Sequence, residues 1–433
     1  LDASGYALSL IYDFGDGRQY LTQTFDTNSQ LTHGLVLAYG LVNWVTKGTF
    51  LGEYHVYAVP QVDDIFMHND DWQSGTPCPN TGALPQFRLA GSDWDNVVAW
   101  QTAKQQNSQF ANWTLQMAFV GSGATGDPNV GYGVTPDDLT PEVELYANSF
   151  NWISHTWDHT LLDSVNAAQT DAELLQNNAM AGTLVLPNYN PGLLVTPAIT
   201  GLNNPDFINE AVADGVQVVV SDTTVLNTPN NGPNPSPNVG IVNTYNNALY
   251  EVPRHATNLF YNVSTPDGWT AEYQCIYPFA PYNTYTYQNI LDNVSQTLLT
   301  DMLTGDMDPQ MFHESNLRNY DGNGHALLFD LYDETFNNYI SLMKLPVLSP
   351  TLDVLAQNMK SRNDYNLSGV TASFTTDGTT SSVAITIPSS APSSTVTVPV
   401  TGLNSAGAES YGGAYISHIA VGNDHVVILP VQQ

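Results

Sequence analysis

The 433-residue sequence has few cations and no long apolar segment, and both deficits limit what the protein can bind. It contains 9 lysine and arginine residues against 41 aspartate and glutamate residues, which gives a formal net charge of −32. Such a charge repels phosphate backbones, so nucleic acid is not an expected partner. No apolar stretch approaches the roughly 18 uncharged residues of a membrane-crossing helix, so no membrane span is predicted. The acidic surface suits a neutral or cationic polymer, although it can equally serve solubility alone.

Cysteine is also scarce, with Cys78 and Cys275 as the only two thiols of the chain. They predict one disulfide, and the alternative is two separate buried thiols. Sequons of the N-x-S/T type, which mark candidate glycosylation sites, occur at Asn112, Asn262, Asn293 and Asn366. Together these features favour a secreted, extracellular glycoprotein, either free or associated with a cell wall, and we expect it to act as a monomer.

Short β-branched or aromatic segments alternate with helical patterns up to about residue 345, which predicts βα units around a parallel sheet. The predicted strands are Ala7–Tyr12, Tyr54–Val59, Trp113–Val120, Phe150–Ser154, Leu193–Thr196 and Val216–Val220. The predicted helices are Ser29–Lys47, a helix capped by Ser92, a helix opened by a Thr170–Glu173 capping box, Tyr287–Leu303 and His325–Met343. Six or more βα units indicate an α/β barrel.

The composition changes at two places along the chain. The segment Asn227–Val239 is rich in Asn and Pro and predicts an exposed loop. From about Ser368 onward, alternating Ser, Thr and Val residues predict a small β-sheet domain. We therefore expect a catalytic domain over residues 1–367 and a β-rich domain over 368–433, the latter serving carbohydrate contact or packing.

Two adjacent carboxylates, Asp63 and Asp64, follow the predicted strand Tyr54–Val59. Parallel strands present their carboxyl ends to ligands. Neighbouring acids repel each other, so a cation or a shared proton is expected to balance them. By itself the pair is also compatible with a turn that carries two solvated aspartates.

A histidine pair begins at the end of another predicted strand, in His155-Thr156-Trp157-Asp158-His159. In a helical turn two imidazoles at this spacing share one face and chelate zinc-like ions. Thr156 occupies the position of the catalytic Glu in H-E-x-x-H, which disfavours a metallopeptidase of that type.

Taken together, the D-D and H-T-x-x-H motifs resemble those of the polysaccharide deacetylases of the NodB homology type. Four segments are similar to the fungal galactosaminogalactan deacetylases and the related bacterial exopolysaccharide deacetylases: V-D-D-I-F, S-H-T-W-D-H, V-P-R-H-A-T-N and M-F-H-E-S-N. The likeness spans about residues 6 to 365. It implies a distorted (β/α) barrel of the NodB type and the hydrolysis of N-acetyl groups of an amino-sugar polysaccharide.

The resemblance also implies roles for individual residues. Asp63 would be the general base, and His313 would be the general acid. Asp64, His155 and His159 would bind a divalent metal, with Zn²⁺ expected and Co²⁺ or Ni²⁺ as alternatives. The carboxylates near His313 are expected to keep its imidazole protonated around neutral pH.

The chain departs from the family pattern where an Arg-Pro-Pro-Tyr motif is usual, because Val195-Thr196-Pro197-Ala198 stands there. Arg254 can replace the missing arginine beside Asp63, unless it forms an ordinary surface salt bridge. Asp222 is either an orienting carboxylate or a helix cap. Trp157 can stack on a sugar ring, although aromatic residues more often fill cores.

The expected partner is an N-acetylated hexosamine polysaccharide, with N-acetylgalactosamine or N-acetylglucosamine units. Two other functions remain open from the residues alone. One is a carbohydrate-binding protein that keeps its metal only for structure, and the other is a glycosidase with paired carboxylates.

Overall fold

The computed structural model describes residues 4–28, 31–222, 239–376, 381–423 and 426–431. The chain forms two compact units, Leu1–Thr49 and Phe50–Gln433. The first unit contains strands β1 (Ser9–Asp13) and β2 (Gln19–Gln23) and helix α1 (Thr32–Thr46). Gly15 and Gly17, both with positive φ, turn the chain so that β1 and β2 pair as an antiparallel hairpin. The predicted strand Ala7–Tyr12 is therefore half of a hairpin and not the first strand of a βα unit.

The second unit contains the barrel and its helices. Its strands up to residue 313 are β3 (Phe50–Leu51), β4 (Val56–Tyr57), β5 (Pro60–Ile65), β6 (Asn69–Asp70), β7 (Gln86–Phe87), β8 (Gln116–Phe119), β9 (Asn151–Ser154), β10 (Tyr189–Leu194), β11 (Val218–Asp222), β12 (Ile241–Val242), β13 (Tyr250–Ala256) and β14 (Gln310–His313). Its helices are α2 (Gly91–Gln105), α3 (Leu139–Leu145), α4 (Ala167–Thr183), α5 (Pro205–Ala213), α6 (Pro266–Ile276), α7 (Tyr287–Thr304), α8 (Leu327–Leu342) and α9 (Leu352–Leu367).

Seven parallel strands close into a barrel in the order β5, β8, β9, β10, β11, β13, β14 and back to β5. The expected (β/α) barrel is confirmed. The short strand β12 pairs with β13 in the antiparallel direction. The carboxyl ends of parallel strands meet at one end of such a barrel, which is where ligands bind in this architecture.

Two helix starts differ from the sequence prediction. The helix α2 begins at Gly91, and the N–H of Ala90 donates to Asp93, so Ser92 is not its cap. The helix α4 begins at Ala167 with a capping box formed by Asn166 and Gln169, upstream of Thr170. Asn is as good an N-cap as Ser or Thr, and the sequence pattern does not say which candidate is used.

Inward-facing residues of the strands form an apolar core, against which one face of α9 packs. The contributing residues include Val59, Ala118, Ile153, Leu193, Val218 and Val252 from the barrel region and Leu352, Leu355 and Met359 from α9. The polar residues discussed below lie beyond this core, towards the carboxyl ends of the strands.

The segment after α9 forms strands, as the sequence predicts. These are β16 (Thr371–Thr376), β17 (Ser381–Thr386), β18 (Thr395–Thr401), β19 (Glu409–Tyr411), β20 (Ala414–Gly422) and β21 (Val426–Val431), preceded by β15 (Val347–Leu348). One sheet has the order β16, β17, β21, and the other has the order β19, β20, β18, β3. Because β3 pairs with β18, these strands belong to the same compact unit as the barrel.

Cys78 and Cys275 form a disulfide, which confirms that prediction. No helix among the described residues has both the length and the apolar character needed to cross a membrane. The predicted loop Asn227–Val239 lies, except for its last residue, outside the described residues.

Candidate active site

The aspartate pair lies inside a barrel strand and not after one. Asp63 and Asp64 are the fourth and fifth residues of β5, and the predicted strand Tyr54–Val59 contains only the two-residue strand β4. The pairing of β5 with β8 shifts register between Val62 and Ile65, and Asp64 has a φ of 69°. A bulge of this kind breaks the alternation of side chains along the strand. Both carboxylates are thereby buried at the same end of the barrel, 2% and 4% exposed.

Asp64 contacts both histidines of the H-T-W-D-H motif. Its Oδ1 lies 3.1 Å from Nε2 of His155 and 3.4 Å from Nε2 of His159. The motif is not a helical turn, because Thr156 and His159 both have positive φ. The side chain of Glu173 on α4 holds this loop by accepting hydrogen bonds from the N–H of Asp158 and the hydroxyl of Thr160. The imidazoles of His155 and His159 therefore face the same way, as expected, but an irregular loop and not a helix brings them together.

The three side chains have the geometry and chemistry of a metal site. One ligand atom from each of Asp64, His155 and His159 lies within 4.8 Å of the other two. Nδ1 of His155 lies 2.8 Å from the carbonyl oxygen of Val195, to which it donates a hydrogen bond. In the neutral imidazole this bond leaves the lone pair on Nε2, the atom that faces Asp64. The residues present thus fit a divalent cation.

The surroundings of the candidate metal ligands shift the pKa values of these groups in different directions. Burial opposes ionisation of Asp64, but the hydrogen bond with His155 and the other histidines outweigh it and hold the pKa of Asp64 below its ordinary value. Burial and the neighbouring His155 lower the pKa of His159 to about 4. Burial opposes protonation of His155, but Asp63 and Asp64 outweigh it and raise the pKa of His155. An ionised carboxylate and neutral imidazoles are the forms that bind a metal, so a bound cation would displace the proton that His155 shares with Asp64.

Asp63 has a different partner. Nη1 and Nη2 of Arg254, in β13, donate to its two carboxylate oxygens over 2.9 and 2.8 Å. Arg254 is 2% exposed, so the alternative of a surface salt bridge is wrong. Asp222 is aligned with Arg254 in the pairing of β11 with β13, and its side chain lies outside the described residues.

His313 ends β14, where it is aligned with Asp63 in the neighbouring strand. Its Nε2 lies 4.0 Å from Oδ2 of Asp63, and its ring meets the ring of Tyr261 edge to face. Nδ1 of His313 is buried and has no hydrogen-bond partner among the described residues. Burial lowers the pKa of His313 and outweighs the two nearby carboxylates. The expectation that these carboxylates dominate is therefore wrong.

Trp157 is half-buried and lies beside the turn that follows β8. Its carbonyl oxygen accepts a hydrogen bond from Ser122, and its ring packs over Gly121. A Cβ at Gly121 would lie 2.9 Å from the indole ring, so a side chain at this position would displace Trp157. The indole is thus fixed in the same loop as the two histidines.

Two residues near this site, Glu314 and Arg88, were not predicted from the sequence. The fully buried Glu314 accepts a hydrogen bond from the N–H of Leu89, and burial raises its pKa well above the ordinary value. Arg88 donates to the carbonyl oxygens of Phe66 and Gly123 and thereby fixes the chain after β5. Two features of the sequence could have identified them: Glu314 directly follows His313, and Arg88 is one of few cations in the chain.

The chain is similar to one protein family and to several solved structures. The model of the Agd3 deacetylase domain matches residues 140–369, more than half of the chain. No curated protein matches the sequence. The solved structure of Agd3, described as a novel carbohydrate deacetylase, has a TM-score of 0.80 and 19% identity, covering 98% of this chain and 72% of that chain.

Two further solved structures are less similar. A family 4 carbohydrate esterase from Streptomyces lividans has a TM-score of 0.33 and 12% identity, covering 69% of this chain and 94% of its own. A chitin deacetylase from Colletotrichum lindemuthianum has a TM-score of 0.35 and 9% identity, covering 68% of this chain and 86% of its own. The structural likeness to Agd3 establishes a shared fold, and the domain match identifies the family. The chain belongs to the Agd3 deacetylase domain family.

Proposed function

We propose that this deacetylase hydrolyses the N-acetyl groups of an amino-sugar polysaccharide with the help of a divalent metal. The observation that carries the proposal is the convergence of Asp64, His155 and His159 beside a second carboxylate, Asp63. A metal that serves only the structure does not need a neighbouring carboxylate outside its ligand set. Asp63 is such a carboxylate, and a buried arginine holds it in place. Its presence therefore favours catalysis over the alternative of a binding protein.

Asp64, His155 and His159 would hold the ion. Two imidazole nitrogens and one carboxylate oxygen suit Zn²⁺, with Co²⁺ or Ni²⁺ as alternatives. When bound, the ion polarises the acetamide carbonyl and lowers the pKa of a coordinated water.

The remaining residues move protons. Asp63 accepts a proton from the attacking water, and the two hydrogen bonds from Arg254 orient its carboxylate and stabilise the ionised form. Nε2 of His313 lies 4.0 Å from Oδ2 of Asp63, and His313 donates a proton to the nitrogen of the departing amine. The C–N bond breaks, the water oxygen ends on acetate, and the sugar keeps a free amine.

The charge of the chain favours a neutral or cationic polysaccharide as substrate. We propose N-acetylgalactosamine or N-acetylglucosamine units in an exopolysaccharide, since partial deacetylation makes such polymers cationic and the chain has a net charge of −32. We also propose that the protein is secreted and monomeric. The disulfide supports secretion, because disulfides persist in oxidising compartments.

The test compares wild-type protein with Asp63→Asn on N-acetylated hexosamine oligomers. The variant keeps the three metal ligands but lacks the proton acceptor, so acetate release should fall by roughly 10²-fold or more at unchanged metal content. Near-normal release by the metal-loaded variant removes Asp63 as the base. Shortened oligomers with intact acetyl groups would instead indicate a glycosidase, and bound oligomer without turnover would indicate a binding protein.

A further inference from the structure

An aromatic surface follows the strand that carries Arg254. No lysine or arginine occurs between Arg254 and Arg318, whereas aromatic residues are frequent in the first half of this stretch. Six of them form a connected cluster, here called the aromatic platform: Phe260, Tyr273, Tyr277, Phe279, Tyr282 and Tyr285.

The platform is partly open to solvent. Tyr273 is buried and lies 4.8 Å from Tyr277 and 6.1 Å from Tyr285 between ring centroids, with the second pair stacked. In the same cluster, the ring centroid of Phe279 lies 5.6 Å from that of Tyr282, and Phe279 is 56% exposed. An exposed phenylalanine held among half-buried tyrosines loses little conformational freedom when a ligand covers it. The arrangement therefore offers a ready-made stacking surface.

The loop after β13 connects the platform to the active site. Tyr261 in this loop is 50% exposed, and its ring centroid lies 5.8 Å from that of His313. Three residues earlier, Asn258 accepts a hydrogen bond of 2.9 Å from the hydroxyl of Tyr277. The side chain of Asn316, close to His313, donates to the carbonyl oxygen of Phe260. One short loop thus contacts the proposed general acid and the platform.

Covalent and polar bonds hold the platform in place. Cys275 on α6 is joined to Cys78, and Phe279 follows four residues later. The neighbouring Gln274 donates a hydrogen bond of 2.8 Å to the carbonyl oxygen of Tyr285. The position of the aromatic rings is consequently fixed before any ligand arrives.

We propose that the aromatic platform binds sugar rings of the polysaccharide next to the unit that is deacetylated, with Phe279 and Tyr282 as stacking residues. This inference rests on the proposed function and names a second part of its binding site. The apolar faces of hexosamine rings stack on aromatic side chains, and the absence of lysine and arginine from residues 255–317 disfavours an anionic polymer. The occupant is a neutral or partly deacetylated hexosamine chain.

The test asks whether the aromatic platform is responsible for any increase in kcat/KM with the length of the substrate. Acetate release is followed for an N-acetylhexosamine monomer and hexamer with wild type, Phe279→Ala and Tyr282→Ala. Each variant should lower kcat/KM for the hexamer by about 2- to 13-fold, the range that corresponds to 0.5–1.5 kcal/mol per aromatic contact, and leave the monomer unchanged, because it has no neighbouring ring. Phe279→Tyr should retain the wild-type value, and Tyr415→Ala, which removes a ring that is 48% exposed in β20, serves as the matched control.

A binding measurement separates this inference from the proposed function. The affinity of Asp63→Asn protein for the hexamer is measured by calorimetry, with and without Phe279→Ala. Weaker binding with Phe279→Ala supports the platform even if wild-type protein releases no acetate, an outcome that would contradict the proposed function alone. Unchanged hexamer affinity and unchanged length dependence in both platform variants would overturn the platform while leaving deacetylation in place.

Discussion

Replacing Arg254 by methionine removes the partner of Asp63 without removing the carboxylate. Both side chains are almost completely buried, at 2% and 3% exposure, and two charge-assisted hydrogen bonds join them. In the Arg254→Met variant the carboxylate would remain in a poorly hydrated environment without its guanidinium. Two effects follow, one on the stability of the protein and one on its activity.

The effect on stability can be estimated from the burial of the pair. Removing one partner of a buried ion pair costs about 3–5 kcal/mol of unfolding free energy, because the other charge is left uncompensated. Adding Asp63→Asn removes that charge and should recover part of the loss. In the Arg254→Met variant the carboxylate of Asp63 also loses the two hydrogen bonds that orient it, so acetate release should fall.

The assay combines urea denaturation of wild type, both single variants and the double variant with measurement of acetate release. We expect the double variant to be more stable than Arg254→Met and to be as inactive as Asp63→Asn. If Arg254→Met matches wild type both in stability and in acetate release, the ion pair does not support the base, and the role assigned to Arg254 is wrong.

Three further variants test other parts of the site and the core. His159→Ala should lose most of the bound metal, because one of three protein ligands is gone; elemental analysis that finds full occupancy would exclude His159 as a ligand. His313→Asn should flatten the alkaline limb of kcat/KM, which in wild type should start at lower pH than for an exposed histidine because burial lowers the pKa of His313; an unchanged profile would return His313 to a structural role. Burial raises the pKa of Glu251 from 4.5 to about 7, so the folded state binds this proton more tightly and stability falls as pH rises from about 4.5 through 7. Relative to wild type, Glu251→Gln should thus gain up to about 3 kcal/mol of stability between pH 4 and pH 8, as urea denaturation can check; an identical difference at both pH values would contradict the shift.

The sequence was sufficient for the barrel type and for four of its seven strands, β8, β9, β10 and β11, because buried parallel strands and amphipathic helices have distinct patterns. It was less informative where the backbone is irregular. The bulge that aligns Asp63 and Asp64, and the loop that brings His155 and His159 together, both contain non-glycine residues with positive φ. Such conformations depend on the surrounding fold, so local propensity does not predict them.

Long-range partners were also difficult to predict. The pairing of Asp63 with Arg254 joins residues 191 positions apart, and the sequence offered it only as an alternative to a surface salt bridge, because closure of the barrel is what makes the two residues neighbours. Glu173 resembled part of a capping box, but it holds the metal-site loop instead. The pairing of β3 with β18 likewise joins the start of the second unit to its last third, and neither segment contains a signal for the other.

Acetate release during a zinc titration tests the central claim most directly. Protein freed of metal by chelation is mixed with an N-acetylated hexosamine oligomer, and Zn²⁺ is added in steps to wild type and to His155→Ala. We predict no acetate without metal, a rise in wild type that saturates near one ion per chain, and no comparable rise in His155→Ala. Full acetate release by the metal-free protein, or equal restoration of both proteins by Zn²⁺, would contradict metal-dependent deacetylation at Asp64, His155 and His159.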